Sequence, residues 1–233
     1  MNLKIKGYQG TSLIDYPDKI SSIIFTGGCN FRCPFCHNPQ LVLDIEQLED
    51  ISLQNILNKL EKRKKFIDAV AITGGEPLLY PDILLLIKEI KKFDFLVKID
   101  TNGSFPETLK ILLDSNSIDF VAMDVKSSLA NYNKATGVDV NTDNIKKSIN
   151  LLLNFTGSYE FRITIVPGIV SKEDIIEIRE LIKGAKNLVL QQFRNSTTLD
   201  PVYGKIPPYS PKELKELGAL FQGFVEKIHY RGI

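Results

Sequence analysis

An α/β fold built on a parallel sheet follows from two patterns in the chain. Short apolar runs of strand type alternate with stretches whose apolar residues recur every three or four positions, and the alternation repeats six times along the 233 residues. Strand, helix, strand order needs crossover connections, so the strands lie parallel, the crossovers are right-handed and the helices pack outside. Composition adds a third observation. With 43% hydrophobic residues, a chain of this length buries a sizeable core, and a single domain over 1–233 is expected.

The first strand is expected over Lys19–Thr26 (KISSIIFT), immediately ahead of a cysteine-rich loop. Leu53, Ile56, Leu57 and Leu60 then recur at helical spacing, and Ala69–Thr73 (AVAIT) is short and apolar like a buried strand. The order continues with a helix over Ile83–Ile90, a strand over Phe95–Ile99, a helix over Glu107–Leu113 and a strand over Ile118–Met123. Ile145, Ile149, Leu152 and Leu153 mark a helix within Asn144–Leu153, and Glu160–Val166 alternates into a strand. Ser171 with Asp174 forms a capping-box pattern ahead of Ile175, Ile178 and Ile182, and Leu188–Phe193 is the sixth strand. Ser210, Pro211 and Glu213 open a last helix as N-cap, N1 and N3, and Leu214, Leu217, Phe221, Val225 and Ile228 are expected to face inward from it. Six units are too few for an ordinary eight-fold barrel, which leaves an open curved sheet or a doubly wound one. In either, ligands gather at the C-terminal ends of the strands.

Lys plus Arg number 29 against 28 Asp plus Glu, so global charge gives no argument for a nucleic-acid or membrane partner. The basic run Lys62–Lys65 (KRKK) reads as a solvated face at a helix C-terminus, where cations offset the helix dipole. The opening MNLKIKGYQG lacks the apolar core of a signal peptide, and no apolar run nears the ~20 residues that span a bilayer. A cytoplasmic location is expected, and three cysteines without a disulfide framework suit that reducing compartment.

The chemistry concentrates in Gly27–Gln40, GGCNFRCPFCHNPQ, which holds all three cysteines in a C-x3-C-x2-C spacing. A disulfide would strand one thiol and close a small, strained loop. A structural zinc site wants four ligands; His37 beside Cys36 could serve as the fourth, but closed zinc sites usually draw on two separate ligand pairs. Inert buried cysteines rarely cluster so tightly. Three thiolates from Cys29, Cys33 and Cys36 suit three irons of a 4Fe-4S cubane, which normally takes four cysteines, so one iron would stay open to a non-protein ligand.

The C-x3-C-x-aromatic-C pattern, with Phe35 as the aromatic, resembles the signature loop of the radical S-adenosylmethionine (radical SAM) enzymes. The stretch SLIDYP (Ser12–Pro17) with CNFRCPFCHNP resembles a narrower group, the activating proteins of anaerobic ribonucleotide reductase, relatives of the pyruvate formate-lyase activating enzyme. The resemblance implies a partial (β/α)6 barrel with outer helices. It also implies a 4Fe-4S cluster and S-adenosylmethionine as cofactors, reductive cleavage of the latter, and a glycyl radical made on a partner polypeptide. A flavodoxin- or ferredoxin-like donor would supply the electron. Weighed beside this are an activator of pyruvate formate-lyase or another glycyl-radical enzyme, a small-molecule radical SAM enzyme resembling the carboxy-deazaguanine synthases, and an electron-transfer iron-sulfur protein. Carriers of the last kind usually saturate all four ligands.

The remaining motifs fall at strand ends. Thr73-Gly-Gly-Glu-Pro-Leu78 follows the second strand; on its own it reads as a common turn, and after the cysteine loop it resembles the motif that holds the cofactor's amino group, with Gly74 and Gly75 exposing backbone and Glu76 facing the ammonium. Strand three ends in Asp100-Thr-Asn-Gly103 and strand four in Asp124-Val-Lys126. An Asx turn and a local ion pair explain these as well; the D-x-K resemblance assigns Asn102, Asp124 and Lys126 to the cofactor's ribose and carboxylate. Arg162 in strand five needs an anion, either a cofactor carboxylate or a core acid, and Val166-Pro-Gly168 suits packing on adenine. Strand six ends Gln191-Gln-Phe-Arg194, where pyruvate formate-lyase activating enzymes resemble one another in carrying a histidine; here Gln192 or Arg194 stands in, which speaks against pyruvate formate-lyase as partner. His229 is read as a surface or capping residue ending the last helix, and His37 as tuning the cluster from beside Cys36.

Overall fold

The computed structural model describes residues 2–233, and the chain forms two compact units. The first takes the chain up to Asn30 with Gln40–Thr101 and Glu107–Val121. Its strands are β1 (Ile5–Ser12), β2 (Ser21–Thr26), β3 (Ala69–Gly74) and β4 (Leu96–Thr101), with β1 antiparallel to β2 and the others parallel. The accompanying helices are α1 (Pro39–Leu43), α2 (Leu53–Glu61), α3 (Ile83–Lys91) and α4 (Pro106–Asp114). Parallel strands covered on both faces read as unbroken apolar runs. Ala69, Val70, Ala71 and Ile72 of β3 are accordingly no more than 1% exposed. Each large apolar side chain so buried contributes about 1.5–3 kcal/mol.

β5 (Phe120–Asp124) lies at the division of the units. The second unit, Phe31–Pro39, Asn102–Pro106 and Ala122–Ile233, carries α5 (Tyr132–Thr136), α6 (Thr142–Leu153), β6 (Ser158–Ile165), α7 (Lys172–Leu181), β7 (Asn187–Gln192), α8 (Pro211–Ala219) and β8 (Lys227–Arg231). β6, β7 and β8 run parallel in that order. Phe161, Ile163, Leu188 and Leu190 are fully buried on one face of this ladder. α8 lies on that face: a Cβ on its Gly218 would meet Leu190 and Tyr230.

All six expected strands form, as β2 to β7, with ends shifted by one or two residues. The capping boxes expected at Ser171/Asp174 and Ser210/Glu213 are both made. The last helix is a correction. It ends at Ala219; the chain turns through Gly223 at φ +80°, and Lys227–Arg231, which includes Ile228 and His229, is strand β8 in register with β7. Strand pairing overrode a helical spacing that continues by chance past the true stop. β1 was not expected either, because Gly7 and Gly10 interrupt its alternation; Gly7 lets it lie against Phe25 of β2. Among the described residues no helix is long and apolar enough to cross a membrane.

Candidate active site

In the first unit, the ends of β2 and β3 are locked together by main chain. Gly75 N donates to Thr26 O at 2.8 Å and Glu76 N to Gly28 O at 2.8 Å, while Tyr80 Oη donates to Gly27 O at 2.6 Å. A Cβ on Gly75 would overlap the Gly28 carbonyl, and one on Gly74, at φ +119°, would overlap Thr26 backbone. The double glycine is thus required by the close approach of two backbones just before Cys29. It delivers Glu76, 1% exposed, whose Oε1 accepts from Leu78 N at 3.0 Å and Thr101 Oγ1 at 2.8 Å. These two neutral donors meet part of the acceptor capacity of the buried carboxylate.

Sequence reading missed Lys98 on β4. Its side chain is 1% exposed, its Nζ lies 2.7 Å from Asp100 Oδ1, and the ammonium stands 5.9 Å from the Phe120 ring centroid. The signal was present: a lysine within an apolar strand, with an acid two positions on, shares one face with that acid.

Cys33, Phe35 and Cys36 belong to the second unit. Cys36 N donates to Cys33 O at 3.0 Å, closing a turn, and Arg32 N donates to Thr136 O at the end of α5 at 2.7 Å. Gly137 caps α5 at φ +69°, and a Cβ there would overlap the Arg32 carbonyl. Phe31 stands edge-on to buried Tyr132, with centroids 6.4 Å apart. From the other side, Asp200 N donates to Pro34 O at 2.9 Å, and His37 Nδ1 lies 3.0 Å from Thr197 O, which fixes that nitrogen as the protonated one. Phe35 is 4% exposed.

Asp124, Lys126 and Arg162 are brought together. Arg162 Nε lies 2.8 Å from Asp124 Oδ1, and Lys126 Nζ lies 3.0 Å from Asp124 Oδ2. Burial would raise the pKa of the Asp124 carboxyl, but Arg162 and then Lys126 outweigh it and hold it well below the usual carboxylate range. Burial works against the Lys126 charge too; Asp124 and then Cys33 overcome it and raise its pKa. Burial pushes the Cys33 thiol up to about 11 against the opposing charge of Lys126.

Asn102 forms the Asx turn that was its alternative reading, its Oδ1 accepting from Ser104 N at 3.0 Å and Ser104 Oγ at 2.5 Å. Gln192 turns its amide to Tyr209 O at 2.7 Å, Arg194 is exposed, and Gly168 turns at φ +81°. His229 is exposed as expected, though on a strand.

Among the described residues no three His, Cys, Asp or Glu side chains stand gathered as a ready metal-binding group. The fit to a cluster is one of donor chemistry: three thiols on a single loop, none in a disulfide. Glu76 is a buried carboxylate of the first unit, and Lys126 with Arg162 is a pair of cations of the second.

The sequence profile of the radical SAM superfamily matches residues 23–182, more than half of the chain. A Methanocaldococcus jannaschii protein named as a glycyl-radical enzyme activating enzyme is 34% identical over 238 residues, covering 100% of this chain and 98% of its own length. The pyruvate formate-lyase-activating enzyme of Clostridium pasteurianum is 29% identical over 197 residues, covering 79% of this chain and 78% of that protein. Among solved structures, Streptococcus suis SuiB bound to S-adenosylmethionine superposes with a TM-score of 0.67 at 20% identity, over 88% of this chain and 48% of that longer one, a likeness of fold. The chain therefore belongs to the radical SAM superfamily and, within it, to the glycyl-radical enzyme activating enzymes, a family of enzymes whose cofactors are a 4Fe-4S cluster and S-adenosylmethionine.

Proposed function

We propose that this enzyme generates a glycyl radical on a partner polypeptide, and that the partner is anaerobic ribonucleotide reductase. The reading is carried by Asp124, the acid of the D-x-K pair, which Arg162 and Lys126 grip at 2.8 and 3.0 Å so that two cations stand side by side. When bound, the cluster and S-adenosylmethionine supply one-electron cleavage of the S–C5′ bond, the source of a radical that takes hydrogen from a glycine Cα.

The chain's own residues bind and orient. Cys29, Cys33 and Cys36 hold the cluster. With the Cys33 thiol raised to about 11, ligation displaces a firmly held proton, and Lys126 favours that loss. Glu76, set by Gly74 and Gly75, takes the cofactor ammonium. Asp124 and Asn102 take the ribose, and Lys126 with Arg162 takes the carboxylate. Phe35 is the buried aromatic of the cysteine loop, and Gln192 holds the segment that follows β7 through Tyr209.

The finer choice of partner is supported by SLIDYP and CNFRCPFCHNP and by Gln191-Gln-Phe-Arg194 in place of a histidine. A second reading, activation of pyruvate formate-lyase, is favoured by the activating enzymes of that lyase among the relatives. In either case a flavodoxin- or ferredoxin-like donor and a cytoplasmic setting are proposed. The test is electron paramagnetic resonance of the reduced, cofactor-loaded protein mixed with each candidate partner from the same organism. A glycyl signal on the reductase supports the assignment; cofactor cleavage without a protein radical on any partner sinks it. Cys33→Ala is expected to abolish cluster assembly, read as iron per chain.

A further inference from the structure

Within the second unit the cysteine loop is held from two sides. On one, Arg32 N donates to Thr136 O of α5 at 2.7 Å. On the other lies the segment 194–209, which joins β7 to α8. It meets the loop twice: Asp200 N donates to Pro34 O at 2.9 Å, and the His37 ring donates from Nδ1 to Thr197 O at 3.0 Å. Pro34 stands between Cys33 and Cys36, and His37 directly follows Cys36, so the two contacts bracket the third thiol.

The core does not shape this segment. Phe193 before it and Leu214 after it are fully buried, but no residue of the described segment 194–209 is. Irregular connections of this length are uncommon in compact domains and usually functional. Its own polar groups shape it instead. Asp200 Oδ1 accepts from Val202 N at 2.9 Å, while Thr198 Oγ1 and Tyr203 N donate to Asp200 O at 2.9 and 3.0 Å, leading into a 3₁₀ turn over Tyr203–Lys205. Asn195 Nδ2 donates to Ile206 O at 3.2 Å and Gln192 Nε2 to Tyr209 O at 2.7 Å, which closes the segment on itself at its two ends. With no core to protect, this bracing holds still one N–H and one carbonyl, and both meet the cysteine loop.

We propose that the segment 194–209 is a strap that keeps the turn carrying Cys33 and Cys36 closed on the cluster, with His37 and Asp200 as its positioning residues. The inference rests on the reading of the cysteines as cluster ligands and extends it to what retains the iron. The test is the rate at which an iron chelator strips the anaerobically reconstituted full-length protein, followed by loss of the cluster's visible absorbance. His37→Phe keeps a ring beside Phe193 but has no N–H to donate, and it is expected to lose iron about fivefold faster, the scale of one neutral hydrogen bond. His37→Asn, whose Nδ2 can stand where the imidazole Nδ1 stood, is expected to restore the unaltered rate. Asp200 gives a second pair at a part-exposed position outside the loop, which keeps the test open if the His37 variants fold poorly. Asp200→Ala removes the acceptor for Val202 N and should speed iron loss to a similar degree, whereas Asp200→Asn keeps that acceptor and should not. Unchanged rates in His37→Phe and Asp200→Ala overturn the strap alone. So does a faster loss shared equally by both members of each pair, or one that merely follows a lowered urea midpoint of the metal-free protein, since either places the segment with the fold rather than the cluster. An unaltered protein that takes up no cluster overturns the reading of the cysteines, and this inference with it.

Discussion

The turn after β3 and the ion network on β5 and β6 each fix a carboxylate in place, and they do so by opposite means. Glu76 is placed by backbone: two glycines without room for a Cβ, two main-chain hydrogen bonds, and neutral donors on Oε1. Asp124 is placed by side chains, through the charges of Arg162 and Lys126. A backbone lock tolerates no added atom but is insensitive to charge. A charge lock tolerates shape changes but fails when one partner is neutralised, since the others lose that counter-charge while still partly desolvated.

The largest effect expected from this contrast is at Gly75. In Gly75→Ala the new Cβ meets a carbonyl oxygen rather than a flexible side chain, so the turn must move; a loss of roughly 3 kcal/mol or more is expected, read from urea denaturation at neutral pH. Asp124→Asn comes next. It leaves Arg162 and Lys126 as like charges around a neutral amide, for roughly 2–3 kcal/mol, below the usual figure for a broken buried pair because 26% of the Asp124 side chain is exposed. Were Gly75→Ala the milder of the two, the distinction between the locks would be lost.

The same distinction explains what was legible in the sequence. Glycine pairs and capping boxes advertise backbone geometry in their own letters, so Gly74-Gly75 and Ser171/Asp174 are readable from the chain. The six strands are readable because burial on both faces forces continuous apolar runs. Side-chain networks depend on which strands become neighbours, and that is not local: Arg162 showed its need for an anion but not that Asp124 would meet it. Lys98 was passed over because its partner, Asp100, had been read only as part of a strand-end motif. β8 was lost because helical spacing at Leu214, Leu217 and Phe221 runs on through Val225 and Ile228, and only pairing with β7 shows where it stops.

Asp174 gives the smallest and sharpest test, because it is a carboxylate of the second unit held by neutral donors. It is 3% exposed; Ser128 Oγ and Asn131 Nδ2 donate to its Oδ1, the latter at 2.8 Å, and Ser171 N donates to its Oδ2 at 2.8 Å. Burial raises its pKa, but the hydrogen bonds from Ser128, Asn131 and Ser171 outweigh that and bring it down to about 2. A carboxyl with a folded-state pKa below its unfolded value of about 4 stabilises the fold above that value, and the contribution disappears as pH falls toward about 2. Asp174→Asn is therefore expected to cost roughly 1–2 kcal/mol at pH 6 and much less at pH 2, measured by urea denaturation at both. Because no cation takes part, the difference at pH 6 should persist in 1 M salt, where the Debye length has fallen to about 3 Å. A difference that vanished with salt would mean that Asp174 is held by charge after all, and neutral donors would no longer suffice to explain its burial.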